Sequence, residues 1–285
     1  MATNETAKVA VIICTGSYHT PAPYEPFRQS LERRGFEAYC PQRPTCDLSQ
    51  LNVGDVNHPD FDLGPPAEGY PTDSDDVEVV SQLLDKLVVQ EGKEVIMLGH
   101  SSGSLIASQA AVPEVQYKSR QAMGQSGGVI GIFFENAFVI PVGESVHTFF
   151  QPKEGPIITP PYMRFHKHGA AGLGTFVEAH RFMFNDLEAD EAAKWAATLT
   201  ASPINTGVLT HDVYSSLPCA YLVSDNDATL LPQYQEAMIA LQAQRGIAFT
   251  VYHAPTGHCP HLSWTEQLVS KVEEFAEQCH QQCGA

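Results

Sequence analysis

The hydrophobic pattern of this chain alternates short continuous apolar runs with longer amphipathic stretches. Val9 to Cys14 reads V-A-V-I-I-C, strand length with no polar interruption, which predicts a strand buried on both faces of a parallel sheet. Runs of the same kind are Phe36 to Cys40, Val95 to Leu98, Val129 to Phe134, Cys219 to Ser224 and Ile247 to Tyr252. Between them lie stretches with helical spacing: Tyr24 to Arg34, with Phe27 and Leu31 on one face, then Ser74 to Gln90, Ser104 to Ala111, Pro232 to Gln244 and a closing Ser263 to Gln281. Gly35 and Gly92 end the first two, and Ser74-Asp75-Asp76 opens the second as a cap with acids in the first turn. Strands alternating with helices predict an α/β fold, a doubly wound and mainly parallel sheet with the Val95 strand at its centre.

Two segments break the alternation. Pro41 to Asp73 is rich in proline, glycine and acidic residues, with Phe61 and Tyr70 as isolated aromatics, and reads as a long irregular excursion. Gly143 to His211 holds a proline-rich hinge, Gly155-Pro156 to Pro160-Pro161, and two predicted helices. Thr175 to Asn185 carries Phe176, Phe182, Met183 and Phe184; Glu188 to Leu199 is alanine-rich and acidic with Trp195. An insert at this point predicts a helical cap over a ligand site, with an ordinary pair of packing helices as the plain alternative. The expected organisation is a core from residues 1–142, a cap insert over 143–211, and the second part of the core over 212–285.

The chemistry gathers where the central strand ends. Gly99-His100-Ser101-Ser102-Gly103 spells G-x-S-x-G between a strand and a helix, the order of a nucleophile elbow. A serine hydroxyl is a weak nucleophile until it is held out of the sheet, near a base, with N–H groups facing the oxygen that will become charged. The chain carries its own control: Gly124-Gln125-Ser126-Gly127-Gly128 also matches, but it precedes an apolar run and reads as a loop entering a strand. Context selects Ser101.

The partners follow at strand ends. The last strand runs into H-A-P-T-G-H-C-P-H (His253 to His261), where His258, after a glycine in the final turn, is the expected base. Cys219 to Ser224 delivers Asp225-Asn226-Asp227, with Asp227 as the favoured acid, and Asp225 and Glu135 as alternatives. The oxyanion donors are expected from the N–H of Ser102 and, on the first strand-helix loop, that of Ser17. Tyr18, His19 and His100 are candidate substrate contacts, with plain packing as the alternative.

Composition narrows the classes. The 285 residues, 43% hydrophobic, suffice for a full core, and a net charge of −17 opposes binding to nucleic acid. No apolar run approaches the roughly 20 residues of a membrane span, and the polar Met1 to Lys8 has no signal-peptide core, so a cytoplasmic protein is expected. Seven cysteines, an odd number without C-x-x-C spacing, read as free thiols; Cys14, Cys40 and Cys219 lie in or beside apolar strands, and Cys279 and Cys283 carry no assigned role. His258, Cys259 and His261 match no usual zinc spacing, and His166-Lys167-His168 reads as a solvated pair, so no metal and no cofactor is expected. The expected partner is a small-molecule substrate; nothing in the sequence speaks to oligomeric state.

With Ser101, Asp227 and His258 in that order, the chain resembles the α/β-hydrolase superfamily along nearly all its length. Within it the closer resemblance is to small cap-bearing hydrolases of fungi and bacteria, akin to plant methyl esterases and hydroxynitrile lyases. The segments that carry the likeness are T-G-S-Y-H-T-P (Thr15 to Pro21), G-H-S-S-G, F-N-D-L (Phe184 to Leu187), S-D-N-D (Ser224 to Asp227) and G-H-C-P-H-L-S (Gly257 to Ser263). The resemblance implies the fold, a Ser–Asp–His set and a cap. Two departures stand out: Thr15 occupies a position where many relatives have His or Pro, and Cys259 follows His258 where hydroxynitrile lyases have Lys. The expected activity is hydrolysis of an ester, lactone or thioester of a small, largely apolar substrate; a lyase or cyclase using His258 as acid-base, and a non-catalytic binder, are the alternatives.

Overall fold

The structure, a computed structural model, describes residues 9–152, 154, 156 and 158–283. The polar segment Met1 to Lys8, Gly155 of the hinge and the side chain of Cys283 lie outside the described residues. Strands β1 (Ala10–Cys14), β2 (Glu37–Tyr39), β3 (Glu94–His100) and β4 (Gly128–Glu135) precede the insert. Within the insert are β5 (Met163–Phe165), β6 (Gly174–Phe176) and β7 (Ala201–Ser202), and β8 (Cys219–Ser224) and β9 (Thr250–Ala254) follow it. The main sheet has six strands in the order β2-β1-β3-β4-β8-β9, all parallel.

The continuous apolar runs are explained by burial on both faces. In β1, Ala10, Ile12 and Cys14 join one core with the helices Asp73–Leu84, Gly103–Ala110 and Pro232–Gln244. Val11 and Ile13 face the other, packed with Phe27 and Leu31 of Glu25–Arg33 and with Leu268, Val272 and Phe275 of Thr265–Cys283. Val95 and Met97 of β3 repeat the division against Ile96 and Leu98, the period-2 alternation of a strand between two helix layers.

The strand order places the site. After β2 adds to one side of β1, the chain crosses back so that β3 lies on the other side. The carboxyl ends of β1 and β3 therefore diverge into separate loops at a topological switch point, where open α/β sheets bind ligands.

Several predicted bounds shift. The helix expected from Ser74 begins at Asp73 and is capped by Thr72, whose side chain and Asp75 form a reciprocal capping box. A π-helical stretch, Asp85–Gln90, carries it to Gly92. The last strand starts at Thr250 instead of Ile247, and a short helix at Tyr117–Ala122 had no sequence signal. The second G-x-S-x-G does lie in a loop running into β4.

The largest correction concerns the insert. Where a helix was expected from Thr175, the structure has strand β6, paired antiparallel with β5 and β7. Glu178, left-handed at φ 51, breaks the chain out of that strand, and only Ala179–Phe182 is helical before Asn185. Aromatic and β-branched residues at Thr175, Phe176 and Val177 pack better on a pleated surface than in a helix, so strand pairing wins. The second predicted helix is present as Ala189–Ala196. The Pro41–Asp73 excursion braces this insert: Leu51 and Val53 bury with Leu173 and Ala201, and Phe61 and Tyr70 pack against the same cluster.

Candidate active site

Ser101 stands between β3 and the helix Gly103–Ala110 with φ 51, a left-handed conformation that a side-chain-bearing residue adopts only where its surroundings impose it. The turn is tight: a Cβ on Gly103 would overlap the carbonyl oxygen of Cys14 at the end of β1. A Cβ on Gly16 would stand 3.2 Å from that of Ser101, so the first strand-helix loop passes directly beside this serine. The Ser101 amide is fastened to the carbonyl of Glu135, and the residue keeps 9% of its surface open.

His258 and Asp227 meet at the ends of β9 and β8. His258 Nδ1 donates to Asp227 Oδ2 at 2.8 Å, both side chains being buried. Asp227 also accepts from the amides of Thr229 (2.8 Å) and Leu230 (2.9 Å) and from Gln235 Nε2 (3.0 Å), so its charge is fully solvated by protein donors. The other nitrogen, His258 Nε2, is buried and has no hydrogen-bond partner among the described residues. An imidazole anchored at Nδ1 by a carboxylate and uncommitted at Nε2 is the arrangement of a general base.

The alternative acids are engaged elsewhere. Asp225 pairs with His253 at 3.0 Å on the surface. Glu135 accepts from His261 Nδ1 at 2.7 Å in a second, wholly buried pair.

Behind Ser101 lies a cluster of rings that the sequence left unconnected. The Gly16 amide donates to Tyr24 Oη (3.0 Å), which leaves the Tyr24 hydroxyl proton for His100 Nδ1 (2.6 Å); His100 Nε2 then donates to the carbonyl of His258 (2.8 Å). Asn136, at φ 46, adds Nδ2 donations to the carbonyls of Gly257 (3.1 Å) and His258 (3.0 Å). His100 is thus a tie between the first loop and the His258 loop, with both ring nitrogens held by protein. It forms a close group with Cys259 and His261, yet it offers no free nitrogen to a metal. His19 is fully buried, its Nδ1 at 3.0 Å from the Ser17 carbonyl. Of the three candidate substrate contacts, Tyr18 sits at the cap boundary, its carbonyl accepting from Thr200 and its ring edge-on to Phe176.

These rings carry a pH dependence. Burial, with the facing His261 second, pushes His19 down to about 3, and burial with His258, His261 and His19 around it holds His100 well below the usual value. Both fold neutral, whereas in the unfolded chain each takes up a proton near pH 6.5. Below that pH the unfolded state binds more protons, so stability is fully present above about pH 6.5 and is lost as the pH falls, by about 1.4 kcal/mol per pH unit for each such histidine. Urea titrations at pH 7.5, 6 and 5 should show midpoints falling steadily; equal midpoints at 7.5 and 5 would contradict the neutral pair.

The two expected oxyanion donors lie together. Neither the Ser17 nor the Ser102 amide donates to another backbone group among the described residues, and their side chains touch, Oγ to Oγ at 2.7 Å. Asn205 Nδ2 donates to Ser17 Oγ (3.0 Å) and Arg43 Nη1 to Ser102 Oγ (3.1 Å) and the Thr15 carbonyl (2.8 Å). With one hydroxyl proton joining the two serines, the other remains for a bound group. Arg43 is buried and pairs with buried Asp76 at 2.8 Å. Burial disfavours its charge, and the neighbouring Asp76 and Asp73 hold its pKa above the ordinary value nonetheless. Sequence reading missed Arg43, Asp76 and Asn205, since an arginine between prolines in an irregular segment carries no periodic or motif signal.

Aromatic side chains cluster in the insert. Tyr162 stacks on Phe176 (5.0 Å between centroids) and leans on Phe182 (5.6 Å). Burial, with the Asp227 charge second, pushes the Tyr162 hydroxyl up to about 12. On the other side Phe138, whose amide donates to the Ser101 carbonyl, packs edge-on against Phe150 and through it Phe149.

A profile of the alpha/beta hydrolase family matches residues 11–271, and the chain belongs to that family. A curated relative, the alpha/beta hydrolase nvfD of Aspergillus novofumigatus, is 26% identical over 274 residues, spanning 94% of this chain and 97% of its own. Among solved structures, a pyrethroid hydrolase from Sphingobium faniae superposes with a TM-score of 0.66 at 19% identity, covering 95% of this chain and 97% of that one. A methylesterase from Arabidopsis gives 0.62 at 13% (94% and 99%), and a tomato methylketone synthase I variant complexed with beta-ketoheptanoate gives 0.64 at 11% (95% and 99%). Among the described residues no helix is long and apolar enough to cross a membrane.

Proposed function

We propose that this protein is a serine hydrolase that cleaves a carboxylic ester, lactone or thioester of a small, largely apolar substrate through an acyl-enzyme on Ser101. The observation that carries the reading is the buried His258, anchored at Nδ1 on Asp227 and free at Nε2, on a loop tied by His100 to the turn that bears the left-handed Ser101.

In the proposed reaction His258 Nε2 takes the Ser101 proton as Oγ attacks the acyl carbon, and Asp227 fixes the tautomer and stabilises the imidazolium. The amides of Ser17 and Ser102 receive the developing oxyanion, with Arg43 holding Ser102 from behind. His258 returns the proton to the leaving group, then activates water to release the acid. The aromatic cap supports an apolar substrate, and of the structural neighbours the methylesterase has a name that denotes ester cleavage and the pyrethroid hydrolase one that denotes hydrolysis. Cys259, in the position of the hydroxynitrile lyases' lysine, is buried in an apolar cluster with Met183, Phe184 and Trp195, so this position offers no cation to receive cyanide.

Incubation with a fluorophosphonate, then intact mass and peptide mapping, tests the reading. One adduct on the peptide containing Ser101, together with release of p-nitrophenol from p-nitrophenyl butyrate, is expected. A folded protein that acquires no adduct and releases no nitrophenol would count against it.

A further inference from the structure

The contacts of the F-N-D-L segment of the cap fall on two separated loops of the core. Asp186 Oδ2 accepts from the Gly257 amide at 2.7 Å, one residue before His258, and from the Ser263 hydroxyl at 2.6 Å. Asn185 Nδ2 donates to the carbonyl of Asn226 at 2.9 Å, one residue before Asp227. Three residues earlier, the Phe182 carbonyl accepts from Thr229 Oγ1 at 2.9 Å, and the Thr229 amide is itself a donor to Asp227 Oδ1. The acid loop is therefore gripped on both sides of Asp227, and the base loop directly before His258, by three residues within one five-residue stretch of the cap.

The approach is close enough to restrict the sequence. A Cβ on Gly257 would stand 2.3 Å from Asn185 Oδ1 and 2.7 Å from Asp186 Oδ1, so both side chains would have to shift to admit one. Just beyond the grip, Cys259 buries in the cap's own apolar cluster beside Met183 and Phe184. Asp186 Oδ1 is buried without a hydrogen-bond partner among the described residues, so the carboxylate is held by its Oδ2 contacts and the packing around it.

We propose that Asp186 and Asn185 are positioning residues for the reaction: by joining the cap to both loops, they set the His258–Asp227 geometry and make it depend on the cap being seated. This rests on the serine-hydrolase reading above. A cap that lifts to admit substrate would loosen both loops together, and one that closes would restore the alignment of base and acid, so water would meet a competent His258 only when the site is shut. The roles are separate from binding, since neither residue is required to touch substrate.

The test compares wild type, Asp186→Ala, Asp186→Asn and Asn185→Ala in the second-order rate of fluorophosphonate labelling and in kcat and KM for p-nitrophenyl butyrate, with urea midpoints recorded for each. A displacement of about 1 Å in a reacting group lowers rates by about 100-fold. Asp186→Ala is therefore expected to label about 100-fold more slowly and to lose kcat with little change in KM. Asp186→Asn, which keeps an oxygen for the Gly257 amide, should recover most of that loss. Asn185→Ala, loosening only the acid loop, should fall between.

A folded Asp186→Ala that labels at the wild-type rate overturns the inference, as does an alanine loss that the asparagine variant fails to recover. If Asp186→Ala does not fold, Asn185→Ala decides alone, and wild-type kcat in it overturns the proposal. Wild type that resists labelling and hydrolyses nothing brings down the nucleophile reading itself, and this inference with it, a result distinct from a labelled wild type with indifferent variants.

Discussion

Replacing Ser101 by alanine is expected to lower kcat/KM for p-nitrophenyl butyrate by about 10⁵ to 10⁶-fold while leaving the urea midpoint essentially unchanged. The change removes one oxygen from a residue whose backbone is held by the Glu135 carbonyl and the adjoining strand and helix, so the fold has little reason to respond. The chemistry does, because no other hydroxyl shares the elbow position: Ser102 Oγ is engaged by Ser17 and Arg43, and Ser104 Oγ donates to the carbonyls of Ser101 and Phe138. His258→Ala should cost nearly as much, and the double variant should be hardly worse than either single, since serine and histidine act as one unit. What activity remains would come from the oxyanion donors and substrate binding. Steady-state kinetics with circular dichroism measure this, and a Ser101→Ala enzyme within tenfold of wild type would remove the acyl-enzyme from consideration.

The second large effect is on stability. Arg43→Met is expected to reduce the free energy of unfolding by about 3–5 kcal/mol, because it leaves the buried Asp76 charge without its cation. Asp76 would keep the Thr45 amide (3.0 Å) and hydroxyl (2.6 Å), but neither carries charge. The same substitution releases the Thr15 carbonyl and Ser102 Oγ, one on each half of the proposed oxyanion site, so the activity of the surviving folded fraction should fall as well. Urea unfolding at pH 7.5 measures the first and initial rates well below the melting temperature the second. The pairing Arg43→Met with Asp76→Leu should recover much of the lost stability, since replacing both partners of a buried ion pair by apolar groups is far less costly than removing one. A loss under about 1 kcal/mol for Arg43→Met alone would mean that the pair behaves like a solvated surface bridge.

The two effects separate what the chain states locally from what folding assembles. The apolar runs, Gly99 and Gly103 around Ser101, and the glycine before His258 are legible along the sequence, because strand burial and sharp turns constrain adjacent residues. Cys259 illustrates the limit. In the sequence it is only a departure from a relative's lysine; in the fold it is part of the cap's apolar cluster. Thr175 to Val177 mark another, where aromatic content suggested a helix face and pairing with β5 and β7 made a strand.

By itself the sequence determined the doubly wound sheet and set Ser101, Asp227 and His258 after its strands as the expected site, readings that rest on periodicity and on turn chemistry within a few residues. Tertiary structure decided the rest: that Asp227 and not Glu135 faces His258, that Glu135 has its own histidine, and that Arg43 stands behind both Thr15 and Ser102. It also decided that the cap grips the loops through Asn185 and Asp186. These contacts join residues far apart in the chain, where hydrogen-bond geometry and the exclusion of water select partners among several chemically equivalent candidates, and no local pattern records that choice.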